Sequence, residues 1–495
     1  MTILPSAAPA GPQPTPGPAA PSRKEPAAPA GAAGEPGAGR AAAVLANRPF
    51  LLLWLSQAAT QIGGNMVVYG LTVVVFSVTR SNAAVSLLLL TFLVPGVLFS
   101  ALAGVYVDRL DRRHILIATN LLRAGAFGLM LAAGENILAI YVLNALVSTV
   151  TTLFAPAEAA MIPTLVPRHQ LIAANGLFTI TLNGAFALGF ALLGPLTVTL
   201  AGPEALLGLV VALYLVAAAF CVTLPGSPPV AARLSALEAV GDVERAVGTT
   251  FRQLADGLGY IAAHPSVTWS LVYLGIGAAL IGVLGVLGPA FATQSLGLDP
   301  KDFVVVVLPL GLGLVSGIVL LNRYGKHVVR RRLIEAGLLA LGLLLGVLSV
   351  AGTVTRLAQR VGSLASPLDV STFISMLSVV VGIAFLAGVA YAFVLVPSQT
   401  QLQEELPEDV RGRVFGVLNT LVSVASFVPI IVAGPIADLV GTRAVILAIG
   451  VVVFASGLLS IATRRQVPIR RPVPGANRGG GDRRGGGDRR GGARP

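Results

Sequence analysis

The sequence predicts an all-α membrane protein of twelve transmembrane helices, arranged as two six-helix repeats that run in the same direction. Three observations predict it. The chain is 55% hydrophobic and 11% charged, with a mean hydropathy of +0.83, whereas a soluble protein is about 25% charged. Its apolar residues gather in stretches long enough to span a bilayer. Turn and charge markers of one half recur in the other.

A helix needs about 20 apolar residues to cross a hydrocarbon core of about 30 Å. The first stretch, 51–77, carries Gln57, Gln61 and Asn65 four residues apart, on one helix face. The second, 84–107, runs into a charged hinge, Gly104-Val-Tyr-Val-Asp108-Arg109-Leu-Asp111-Arg112-Arg113. The third, 114–133, holds Arg123 nine residues beyond His114, about 13 Å deep at 1.5 Å per residue. A charge at that depth is costly and marks a functional candidate; pairing with an acid on another helix is the structural alternative. The fourth, 137–157, holds Asn144 and has Glu158 at its cytoplasmic end.

The fifth, 172–200, carries Gly184, Gly189, Gly194 and Pro195, small residues that let helices approach and a proline that can bend one. Ordinary packing accounts for them nearly as well as function does. The sixth, 203–224, holds the single cysteine, Cys221, so no disulfide forms within the chain. The second half supplies 267–293, 303–322, 333–351, 373–397, 414–438 and 444–462. Its eighth stretch runs into a weaker echo of the hinge, Asn322-Arg323-Tyr-Gly-Lys326-His327, and Glu335 and Asp438 sit at span ends. Barrel strands would alternate polar and apolar residues over about 10 positions, which these runs do not.

Lysine and arginine set the orientation. With both termini cytoplasmic, 28 of the 34 fall inside, five outside and Arg123 within a span. The hinge echoes at an offset of 214, from Asp108 to Asn322, whereas Pro167, Gly176, Gly194 and Pro195 recur at 240, as Pro407, Gly416, Gly434 and Pro435. The difference of 26 places an insertion at about 352–372, where the first half has only Gly134-Glu135-Asn136. Two such halves are the architecture of a parallel-repeat transporter, with its site near midplane between them.

The organisation expected is a disordered cytoplasmic tail (1–46), a bundle (47–224), a linker (225–266), a second bundle (267–463) and a disordered basic tail (464–495). In the linker, Leu234, Leu237, Val240, Val243, Val247, Phe251, Leu254, Leu258 and Ile261 step by three or four. They form the apolar stripe of a helix lying on the inner membrane surface, or alternatively of a partner-binding helix. The tail repeats around Asp482 and Asp488 are rich in Arg and Gly and have no aromatic residue to stack bases, so no nucleic-acid partner is expected. His114, His169, His264 and His327 show no metal-ligand spacing. No metal, cofactor or catalytic residue is expected. The first hydrophobic run begins after about fifty residues and is of full span length, so it is expected to insert directly without a cleavable signal.

Spans, repeat and hinge together resemble the major facilitator superfamily, over about residues 48–464. That family's signature reads Gly-x-x-x-Asp-Arg-x-Gly-Arg-Arg/Lys. Gly104, Asp108, Arg109, Arg112 and Arg113 match it, while Asp111 replaces the usual glycine. An Asp adopts a left-handed turn better than most residues. The hinge, Phe154-Ala-Pro156-Ala, Ile162-Pro163 through Pro167, and Ala174-Asn175-Gly176-Leu are similar to the macrolide and siderophore exporter branch.

The resemblance implies a plasma-membrane exporter of lipophilic or amphiphilic small molecules, coupled to protons and expected to act as a monomer in the lipid bilayer. It implies that Asp108 faces the start of the eleventh helix near Arg411–Val414 and locks the outward-facing state, with Asn322, Arg323 and Lys326 as the echo. Loop orientation is the plainer role for these charges, and the one favoured for Arg113. The fifth-helix signature of antiporters is met by Gly184, Gly189, Gly194 and Pro195, but Val198 and Thr199 replace its final glycines. Helices one, four, seven and ten are implied to line the cavity, which adds Asn144 to Gln57, Gln61, Asn65 and Arg123. Hydrogen bonding between helices is the alternative for the amides. Asp108 and Glu158 are the candidate proton sites. A siderophore exporter, a lipid flippase and a membrane sensor or scaffold remain alternatives, and the absence of a His/Asp/Glu/Cys cluster argues against an enzyme.

Overall fold

The computed structural model describes residues 42–107, 110–226, 259, 264–325, 328–356, 375–405 and 427–463. Among the described residues there is no strand. The helices are α1 (Arg48–Thr79), α2 (Asn82–Val107), α3 (Arg112–Ala133), α4 (Ile137–Leu165), α5 (Leu171–Phe186) and α6 (Gly194–Val222) in the first half. The second half has α7 (Pro265–Leu296), α8 (Val304–Tyr324), α9 (Arg330–Ser349), α10 (Met376–Glu405), α11 (Phe427–Val440) and α12 (Thr442–Thr463).

Capping and turn chemistry place the helix ends. Asn47 accepts the Phe50 N–H at 3.5 Å as the N-cap of α1, and its amide donates to the Leu165 carbonyl at 2.7 Å, tying α1 to the end of α4. α5 continues through a π-helical turn, Ala187–Leu193, into α6, where Gly202 (φ 85°, ψ 170°) breaks the helix. Glycine takes that backbone conformation at low cost. The chain reverses there. Gly189 and Gly194 lie against Ile62 and Tyr69 of α1, and then Leu206 and Tyr214 lie against Gly70 and Gly63. Residues 171–201 and 203–222 are therefore two antiparallel spans.

Ten described helices are long and apolar enough to cross a membrane when 168–222 is taken as one. Separating its two spans and adding the shorter α11 accounts for twelve. The packing repeats: α2–α4, α3–α4 and α3–α6 in the first half recur as α8–α10, α9–α10 and α9–α12. α3 starts at 112 and α9 at 330, 218 apart, whereas α4 starts at 137 and α10 at 376, 239 apart. The jump falls between α9 and α10, the place from which the insertion was inferred.

The halves meet toward the end that carries the α1–α2 turn. Tyr69 stacks on Phe303 with centroids 4.5 Å apart, and its hydroxyl donates to the Lys301 carbonyl at 2.6 Å. Ser86 of α2 donates to the Ile430 carbonyl of α11 at 2.7 Å. The molecule is closed at that end.

Asp108 and Arg109 of the hinge, Lys326 and His327 of the echo, the helix start near 411–414, most of the linker and nearly all of both tails lie outside the described residues.

Candidate functional site

A cavity of about 180 Å³ lies inside the first bundle, walled by α1, α2, α3, α4 and α6. From α4 come Asn144, Val147, Thr151, Phe154, Ala155 and Glu158, a three-or-four spacing that sets them on one helix face. α1 contributes Gln61 and Asn65, α2 Phe92, α3 Arg123 and Phe127, and α6 Tyr214.

Arg123 is 3% exposed and lies eleven residues into α3, about 16 Å along the axis. Its Nη2 donates to Asn120 Oδ1 at 2.7 Å and its Nε to the Thr119 carbonyl at 3.2 Å. The guanidinium carbon sits 4.3 Å from the Phe154 ring centroid and 4.8 Å from that of Tyr214. The Tyr214 hydroxyl donates to the Thr60 carbonyl at 3.2 Å, which fixes that ring. Two acceptors and two aromatic faces replace the hydration that a buried cation loses.

Glu158 was expected at the end of the fourth span. It lies seven residues inside α4, because the helix runs through Pro156 and Pro163 to Leu165. Packed neighbours make such prolines tolerable in a membrane helix. Glu158 is 6% exposed, and its buried Oε1 has no hydrogen-bond partner. It faces the same cavity as Arg123.

The predicted amides divide. Gln61 and Asn65 line the wall, with Asn65 Nδ2 donating to the Gln61 carbonyl at 2.8 Å. Asn144 also lines it, but its amide donates to the Leu88 carbonyl at 3.3 Å and to Thr91 at 3.0 Å, joining α4 to α2. Gln57 is buried off the wall, and its Oε1 has no partner. Among the described residues, none of α7 or α10 lines this cavity. It is therefore a cavity within one bundle, and not the one shared by helices one, four, seven and ten that the resemblance implies.

At the hinge, Asp111 departs from the left-handed turn expected of it. It is extended (φ −64°, ψ 118°) and caps α3, with Oδ1 accepting the Arg113 N–H at 2.9 Å. An N-cap needs extended backbone and a short acceptor side chain, and Asp supplies both. Arg112 donates to the Ala160 carbonyl of α4 at 3.1 Å, and Arg113 donates to the Val222 carbonyl at the end of α6. Gly104 lies in the last turn of α2. In the echo, Asn322 and Arg323 are exposed in the last turn of α8, with Arg323 5.9 Å from the Tyr324 ring.

Of the fifth-span residues, Gly184 has open space around it. A Cβ on Gly189 would lie 2.5 Å from the Ile62 carbonyl, and one on Gly194 would lie 3.2 Å from the Tyr69 Cβ. Pro195 follows the π-helical turn after one residue, Gly194. It has no N–H to give the carbonyl four residues back, and the widened turn accommodates that loss. Among the described residues no His, Cys, Asp and Glu cluster could hold a metal ion.

The model of the Major Facilitator Superfamily matches residues 53–429. The chain belongs to that superfamily. Similar curated proteins include the multidrug efflux pump Tap of Mycolicibacterium fortuitum, 24% identical over 83% of this chain and 95% of that protein. Macrolide efflux protein A of Streptococcus pyogenes is 23% identical over 80% and 90%. The crystal structure of the nucleoside transporter NupG shares the fold with a TM-score of 0.60, 13% identity, and coverage of 84% of this chain and 99% of that one.

Membership in the Major Facilitator Superfamily makes the protein a multi-pass membrane transporter and not an enzyme. Two features of this member escaped the sequence reading. The ring pair around Arg123 comes from α4 and α6, which are distant in sequence; only the Phe154–Glu158 spacing of four hinted at a shared face. Asp438, read as a span-end acid, accepts four hydrogen bonds from the other half.

Proposed function

We propose that the protein is a secondary active exporter of lipophilic or amphiphilic small molecules, driven by proton entry and working by alternating access. The observation that carries this reading is the unpartnered Glu158 oxygen, which faces Arg123 across an aromatic-walled cavity. A buried acceptor without a donor is costly. A proton, or a donor group on the cargo, would fill it, and exclusion of one by the other couples their opposed movements. At about 180 Å³ the cavity is smaller than the roughly 300–1,000 Å³ of a drug-sized pocket. It therefore takes the polar head of an amphiphile, and the apolar body extends beyond it.

The relatives named for multidrug and macrolide efflux support the outward direction. The lysine and arginine distribution supports cytoplasmic termini, which makes the closed end extracellular. A cavity contained within one chain supports a monomer as the working unit.

The test is accumulation of a compound panel (drugs, siderophores and lipids) in an efflux-deficient host expressing the protein, with and without a protonophore. Lowered accumulation that the protonophore reverses is expected. Unchanged accumulation across the panel would refute export.

A further inference from the structure

The seam that closes the α1–α2 end contains an acid to which the transport reading gives no role. Asp438 lies in the last turn of α11, in the second half. Its Oδ2 accepts the Ser81 hydroxyl at 2.7 Å and the Ala83 N–H at 2.9 Å. Its Oδ1 accepts the Asn82 N–H at 2.9 Å and the Asn82 side-chain amide at 2.8 Å. Asn82 and Ala83 open α2, in the first half. The first N–H groups of a helix have no partner within it. Ser81 Oγ takes that of Ala84 at 3.2 Å, and the carboxylate of the opposite half takes the two before it, at the positive end of the α2 dipole.

Backbone packing puts the acid there. One turn back, a Cβ on Gly434 would lie 2.2 Å from Ser86 Oγ and 2.4 Å from the Asn82 carbonyl, so only glycine permits this approach. A further turn back, the Ile430 carbonyl accepts the Ser86 hydroxyl. Positions 430, 434 and 438 form one stripe along α2, and Asn82 beneath it is fully buried.

We infer that Asp438 is a latch that selectively stabilises the conformation closed at the α1–α2 end; this rests on the two-conformation cycle proposed above. The carboxylate caps α2 only while α11 lies against it. When the halves rock apart, acid and donors turn to water, so removing the acid shifts the conformational balance without dismantling either bundle. An offset of 240 places Val198 at the matching position of the first half. The latch is one-sided.

The test uses the full chain in lipid nanodiscs. In a Cys221→Ala background, spin labels at Glu135→Cys and Asp299→Cys, exposed turn residues of opposite halves at this end, report its opening by double electron–electron resonance. Asp438→Asn, which sets an amide donor against N–H groups, should raise the ratio of long to short distances about tenfold. Ser81→Ala, which removes one donor, should shift it the same way by less. An unchanged ratio in Asp438→Asn overturns the latch; should that variant fail to fold, Ser81→Ala decides on the same criterion. The readout is a distance, so it separates from the efflux reading. A shift without any exported compound keeps the latch and sinks efflux, and efflux without a shift does the reverse.

Discussion

Arg113 and Arg331 are counterparts across the repeat. Each is the second residue of the third helix of its bundle, and each donates to a carbonyl near the end of the sixth, Val222 for Arg113 and Ser460 for Arg331. The two arginines are 218 positions apart, not the 214 of the hinge echo. A cation at a helix C-terminus is favourable in either place, so this pairing holds a bundle together whatever the cargo.

Removing the two arginines should cost stability unequally. Arg331 also pairs with Glu335, at 3.2 Å, and that carboxylate is only 3% exposed. Arg331→Ala should destabilise by about 3 kcal/mol, the scale of breaking a buried pair. Arg113→Ala should cost about 1 kcal/mol. Thermal unfolding in detergent checks the order, and equal losses would contradict it.

Glu158→Gln should leave a folded protein whose transport no longer responds to a protonophore, because a neutral amide cannot exchange a proton for the cargo. Flux in proteoliposomes with and without an imposed pH gradient distinguishes the two cases. A gradient response equal to that of the unaltered chain would remove Glu158 from the coupling step.

Arg123→Lys tests geometry separately from charge. Lysine keeps the cation but loses the planar fork that reaches Asn120 Oδ1 and lies on two rings. Flux should fall about tenfold or more, as displacement of a positioning group commonly costs. If charge alone matters, Arg123→Lys will transport normally while Arg123→Met does not.

Much of this architecture was legible in the sequence, because span length and repeat offsets are long-range averages that tolerate local error. Particular residues were less legible. The apolar run of the fourth span stops at 157, but the helix does not, so Glu158 was placed at an edge when it lies inside. Asp111 suits either a left-handed turn or an N-cap, and the local sequence does not separate them. The bonds of Asp438 join residues more than 350 positions apart, which no local pattern announces. The glycines of the fifth span were read as one group, whereas open space surrounds Gly184 and α1 presses on Gly189.

That difference is measurable. Gly184→Ala should be neutral or stabilising by up to about 1 kcal/mol, since alanine is the better helix former. Gly189→Ala should destabilise by about 1–3 kcal/mol, the range for overpacking, because its Cβ would sit 2.5 Å from the Ile62 carbonyl. Similar unfolding temperatures for the two variants would show that the fifth span and α1 can separate at no cost.

Pro195→Ala makes the sharpest case, because propensity and packing predict opposite signs. Replacing a proline within a helix by alanine ordinarily gains about 3 kcal/mol. Here an N–H at 195 could bond the carbonyl four residues back, and the turn Ala187–Leu193 would lose its reason to be π-helical. A π-helical turn carries one residue more than an α-turn. Its removal rotates everything on one side by about 100°, one residue's share of a 3.6-residue turn. Gly189 and Gly194 could not then both face α1, and a side chain would be driven against Ile62 or Tyr69. The predicted result is therefore a protein less stable than the parent, with flux reduced. A stabilised, fully active Pro195→Ala chain would show that the π-helical turn follows from the proline alone and sets no register.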